Sequence, residues 1–102
     1  MNIQSMMKQA QKMQAKMAKV QEDLKNEVLE SSAGGGMVKV TITGDLQIKS
    51  IHIDPAAIDP DDAEMLQDMI TAAVNEAVRS AQELGAARLG EVTGGMNLPG
   101  MM

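Results

Sequence analysis

Lys8, Lys12, Lys16 and Lys19 are the residues whose type and spacing most clearly suggest chemistry. Steps of four, four and three residues on a helix set them within about 80° of one another, in one narrow stripe. No Asp or Glu occurs in the first 20 residues. Solvated helix faces ordinarily mix signs, because acid–base pairs three or four residues apart stabilise them. Four lysines without an acid forgo that support and repel one another, an arrangement suited to meeting an anion. Nucleic acid is the first candidate partner and a membrane surface the second. The absence of Trp and Phe weighs against the membrane.

Nothing else in the chain assembles a catalytic constellation, so an enzyme is not expected. His52 falls between Ile51 and Ile53 with no nucleophile or carboxylate beside it, and reads as a solvent-facing strand residue. Gly34-Gly35-Gly36 resembles a phosphate cradle only superficially, since a strand and not Lys-Ser/Thr and a helix follows it. A hairpin turn is the better reading. Asp59, Asp61 and Asp62 lack the alternate spacing, central Gly and terminal Glu of a calcium loop. Helix capping accounts for them. The 11 methionines read as packing residues. No metal, cofactor or small-molecule substrate is expected.

The lysines need a helix to hold them, and residues 2–25 predict one, free of Gly and Pro and rich in good helix formers. Ile3, Met6, Ala10, Met13, Met17, Val20 and Leu24 recur at alternating steps of three and four, a heptad seam on the face nearly opposite the lysines. This seam is expected to pack on the other long helix, on a second copy, or on both. Val38, Val40 and Ile42 alternate with Lys39, Thr41 and Thr43, the pattern of a half-buried strand. A second strand is expected over Leu46–Ile53, after a turn at Gly44-Asp45. Its apolar parity slips between Ile48 and Ile51, which predicts a bulge near Lys49-Ser50. Residues 27–32 fit a third strand joined through the glycines. Asp54-Pro55 ends the sheet. Asp59 as N-cap with Pro60 at the first helical position opens a last helix. Its apolar stripe runs through Leu66, Met69, Ile70, Ala73, Ala77, Ala81 and Leu84. Residues 1–92 are expected to form one domain and 93–102 a flexible tail.

A chain of 102 residues without any Phe, Tyr or Trp has little to bury. Association of two copies is the direct remedy. Lack of Cys excludes disulfides, thiol catalysis and thiolate metal sites. Lack of aromatics disfavours single-strand readers that stack bases. No signal-peptide layout opens the chain and no apolar run could span a membrane, so a cytoplasmic protein is expected. The net charge of −5 opposes polyanion binding, but the acids gather over residues 54–89 and the unopposed lysines at the start.

Residues 6–14 (MMKQAQKMQ), 33–42 (AGGGMVKVTI), 51–55 (IHIDP), 64–68 with 72–77, and 93–100 (TGGMNLPG) together resemble the YbaB/EbfC family of bacterial nucleoid-associated proteins. The likeness is collinear over nearly the whole chain. It implies an α+β protomer of order α-β-β-β-α, with two long helices flanking a small antiparallel sheet, in a tweezer-like homodimer. It further implies a protein of the cytoplasmic nucleoid that binds double-stranded DNA with little sequence preference and alters its conformation. Basic residues of the first and last helices would meet DNA: here Lys8, Lys12, Lys16 and Lys19, and more weakly Arg79 and Arg88, which Glu76, Glu83 and Glu91 offset. The residues also fit a coiled-coil adaptor for a replication or repair assembly, with weak or no DNA binding.

Overall fold

The computed structural model describes residues 2–94. Helix α1 spans Ile3–Asn26, strands β1, β2 and β3 span Val28–Ala33, Val38–Thr43 and Ile48–Ile53, and helix α2 spans Ala63–Gly94. The strands form an antiparallel sheet in the order β1-β2-β3. The expected α+β order is therefore the observed one. The expected tail splits: Thr93 and Gly94 still belong to α2, and positions 95–102 lie outside the described residues.

The core is a strand laid on a spine of alanines. Val38, Val40 and Ile42 of β2 are fully buried against Ala73, Ala77 and Ala81 of α2. Alanines at four-residue steps share one helix face. Their small side chains let the helix approach the central strand, where the β-branched residues fill the space. Each buried Val or Ile contributes about 1.5–3 kcal/mol. Leu29 and Ala33 of β1, with Leu66, Met69, Ile70, Val74 and Val78 of α2, pack around this line.

The triple glycine is the β1–β2 turn, and all three residues have positive φ, from 63° to 93°. Gly34 is constrained twice, because Met69 of α2 packs where its side chain would stand. The parity slip in β3 is a bulge. Thr41 pairs with Ser50 and Ile42 with Ile48, leaving Lys49 as the extra residue. The bulge keeps Ile48, Ile51 and Ile53 on the side of the sheet that faces α2. Strand β3 begins at Ile48, two residues later than expected, because Leu46 turns the chain with a φ of 70°.

The opening of α2 differs from the sequence expectation. Asp59 accepts from the backbone N–H of Asp61 in a local turn, and the helix begins at Ala63. Its cap is Asp62, whose Oδ1 accepts from Met65 N–H at 3.2 Å. The Asp-Pro start expected at 59–60 occurs instead at Asp54-Pro55, which opens a 3₁₀ turn, Pro55–Ala57. Two adjacent Asp-Pro signals compete, and the first helical turn goes to the one directly following the sheet.

Helix α1 meets the rest of the protein at its C-terminal end. Leu24 is buried and lies over Gly44, where an added Cβ would come 2.8 Å from the Leu24 carbonyl oxygen and 2.8 Å from its Cδ2. Gly44 N–H donates to the Glu27 carbonyl at 3.0 Å, fixing the same joint. Beyond it the molecule is long, 70 × 27 × 16 Å. Gly44→Ala is expected to lower stability by about 1–3 kcal/mol, because backbone must move to admit the methyl. Gly35→Ala, with φ 67° but open space around it, is expected to cost about 1 kcal/mol from the left-handed backbone alone. Paired urea melts check this order, and a larger loss at Gly35 would contradict it.

Candidate nucleic-acid interface

Side chains that could bind an anion must be charged, exposed and free of an internal partner. Lys8, Lys12, Lys16 and Lys19 all lie on the exposed surface of α1. Among the described residues, Lys8, Lys12 and Lys16 have no carboxylate within ion-pair distance. Lys19 does: its Nζ lies 3.5 Å from Asp23 Oδ1, one turn on. Both groups are largely solvated, so that pair holds Lys19 only weakly.

Why α1 presents this stripe follows from its length and capping. Asn2 caps it, its side chain accepting from Gln4 N–H at 3.0 Å. No acid stands in the first turn. The positive end of the helix dipole and the lysines of the first turns therefore add to one field. The opposite seam is less buried than a core requires. Leu24 is buried and Val20 and Met13 are half-buried, while Ile3, Met6 and Met17 are open, Ile3 at 72% exposure. Within one protomer the seam is core only at its C-terminal end.

The two arginines of α2 are placed otherwise. Arg79 is clamped along its own helix, donating from Nη1 to Glu83 at 2.6 Å and pairing with Glu76 through Nε and Nη2. This guanidinium holds the Glu76 carboxyl below the usual carboxylate range, and Glu76 in turn raises Arg79. Both charges therefore persist across neutral pH. Arg88 donates from Nη2 to Glu27 Oε1 at 2.7 Å, tying α2 to the end of α1. The structure thus brings Lys8, Lys12 and Lys16 together on one exposed face, unpaired among the described residues, and gives Arg79 and Arg88 internal partners. The first pairing was visible as the spacing of Glu76, Arg79 and Glu83. The second joins residues 61 positions apart, which no local pattern reveals.

Sequence spacing did not single out Lys39 and Lys49. Both are exposed on the sheet and, among the described residues, neither has an ion-pair partner. Among the described residues no group of three His, Cys, Asp or Glu could hold a metal ion, and no helix is long and apolar enough to cross a membrane.

A model of the YbaB/EbfC DNA-binding family matches residues 1–96. A nucleoid-associated protein of Desulforamulus reducens is 55% identical over 100 residues, covering 98% of this chain and 95% of the relative. One of Acetivibrio thermocellus is 54% identical over 101 residues, covering 98% and 89%. The crystal structure of an uncharacterized protein of Helicobacter pylori superposes with a TM-score of 0.74 at 24% identity, covering 81% of this chain and 87% of that one. That likeness concerns the fold.

The ion pairs separate structural from available charge. Arg88→Gln unties α2 from Glu27 and is expected to lower the melting temperature by about 2–4 °C, as the loss of a half-exposed pair should. Lys12→Gln with Lys16→Gln is expected to leave it within about 1 °C, since Gln keeps helix propensity. Thermal circular dichroism decides; a destabilised lysine variant would mean that these lysines hold the fold.

Proposed function

This chain belongs to the YbaB/EbfC DNA-binding family, and we propose that it binds double-stranded DNA through the lysine face of α1, with little dependence on sequence. The observation that carries this reading is the row of Lys8, Lys12 and Lys16, exposed and, among the described residues, without carboxylate partners in a chain of net charge −5. Lysine presents a compact point charge suited to phosphate, and phosphate contacts position a protein without reading bases. Lys19 joins the row more weakly, because Asp23 competes for it. Arg79 and Arg88 contribute little while their carboxylates hold them.

The working unit in this reading is a homodimer, with the fold through the end of α2 at Gly94 as its single domain. Two apolar surfaces of the protomer support association. One is the open part of the α1 seam at Ile3, Met6 and Met17. The other is the edge strand β3, where Ile48 and Ile51 are 42% and 44% exposed because α2 lies over β1 and β2 instead. Two α1 arms in one dimer would grip the duplex and bend or stiffen it. Such a protein would act on the nucleoid, in its organisation, in gene regulation and in protecting DNA. The parent is expected to sediment at twice 10.8 kDa at micromolar concentration. A folded species at the protomer mass would remove the dimer.

The salt dependence of binding tests the function. If about four phosphates are neutralised at once, log K falls against log salt with a slope near −3.6, and affinity drops on the order of 100-fold between 50 and 200 mM salt. Lys12→Gln with Lys16→Gln should weaken binding, flatten the slope and do so equally on unrelated duplexes. If the parent fails to bind duplex at low salt, the reading as an adaptor takes its place.

A further inference from the structure

The sheet has two faces, and α2 covers one of them. The other carries Glu30 and Ser32 from β1, Lys39 and Thr41 from β2, and Ser50 and His52 from β3, by the alternation of the strands and their register. Apart from Val28 at the end of β1, the strand residues of this face include no large apolar side chain. A second copy seeking apolar surface would therefore use the α1 seam or the side of β3 that carries Ile48 and Ile51, and leave this face in water.

Among the described residues its lysines, like Lys8, Lys12 and Lys16 of α1, stand outside the ion pairs. Lys19, Lys25, Arg79 and Arg88 each have a carboxylate within 4 Å. Lys39 has none among the described residues; its direct cross-strand neighbours are Ser32 and His52. An acid at either position would stabilise the strand pair, whereas an imidazole opposite an ammonium does not. Lys49, the extra residue of the β3 bulge, is a second exposed lysine three residues along the strand from His52 and likewise has no ion-pair partner among the described residues. Bulges re-aim side chains and are common next to functional surfaces. Asp45 and Asp54, the carboxylates flanking β3, are engaged locally, Asp45 with the Thr43 hydroxyl and Asp54 with Ala56 N–H. Glu30 is the one acid among the strand residues of this face.

We infer that the open face of the sheet, through Lys39 and Lys49 with Ser32 and His52 as further donors, is a second contact for the phosphate backbone of duplex DNA. This rests on the reading of the chain as a DNA-binding protein and extends it to a surface away from the α1 stripe. The row Ser32–Lys39–His52 crosses three strands and spans about 10 Å at the usual strand spacing. Lysine presents a compact point charge suited to phosphate, and the row holds no Arg, Asn or Gln, so the contact is assigned to the backbone. Lys39 sits on the order of 16 Å from Gly44 along β2, and Lys16 about 12 Å from Leu24 along α1. Both clusters are reckoned from the same joint but share no residues, so their effects on affinity should add.

The test is a set of anisotropy titrations on one labelled duplex between 50 and 300 mM salt. It compares the full chain with K39Q/K49Q, K12Q/K16Q, their combination, and the charge-keeping K39R/K49R. Each phosphate that a variant no longer neutralises should flatten the slope by about 0.9 and weaken binding about eightfold at 0.1 M salt. The expected result is a flatter slope for K39Q/K49Q, restored by K39R/K49R and additive with K12Q/K16Q, at unchanged melting temperature. If K12Q/K16Q weakens binding while K39Q/K49Q matches the parent, the sheet contact is overturned and the α1 reading stands. If K39Q/K49Q melts like the parent and its weaker binding is not restored by arginine, charge is not the cause and the inference also fails. Absence of duplex binding by the parent at 50 mM salt overturns both.

Discussion

Gly44 can have no side chain, because Leu24 occupies the space where one would be. That close approach, reinforced by the hydrogen bond from Gly44 to Glu27, is where α1 is buried against the rest of the protomer. The lysine face of α1 depends on it. A 24-residue helix attached by its last turns can hold a charged stripe well clear of the acids that dominate residues 54–89. α1 meets α2 through Leu24 at Gly85 and, at its end, through Glu27 at Arg88. The chain is acidic overall and basic where it reaches out, and the joint is what keeps those two statements compatible.

The same separation governs stability. The core is thin: three β-branched residues of β2 on three alanines of α2, with partly buried neighbours. Alanine contributes little area, but it brings helix and strand close enough for the valines and isoleucine to be shut off from water. A core of this size leaves apolar residues uncovered on α1 and β3, and association is the physical answer to that surplus. The ion pairs of Arg79 and Arg88 add local order at the surface without adding bulk.

Much of this was legible in the residues. The length of α1, the hairpin at Gly34–Gly36 and the alanine stripe of α2 follow from periodicity. So does the bulge, because Ile48 and Ile51 can share a face only if one residue between them goes unpaired. What escaped was set by competition or by distance along the chain. Asp59 and Asp62 are equally good caps in isolation, and the choice of Asp62 depends on where the 3₁₀ turn after the sheet leaves the chain. Gly44 read only as a turn residue, although its tighter constraint comes from Leu24, twenty positions away. The heptad seam was visible, but not that its N-terminal half stays open in the protomer. The lysines of α1 announced themselves by spacing. Lys39 could not, since a single lysine on an alternating strand is the commonest sort of solvated residue, and only the register reveals what stands opposite it.

The bulge at Lys49 also bears on heredity. Most single-codon losses within a strand turn the residues beyond the break to the other face of the sheet. Loss of the codon for residue 49 would do the reverse. The ladder would become regular, with Ile48, Ile51 and Ile53 all still toward α2, and only the local kink would go. Deletion at this site is thus open to a lineage at small structural cost, whereas a second inserted residue would scramble the register. A position that the sheet itself can spare is one where selection is free to act on the side chain alone.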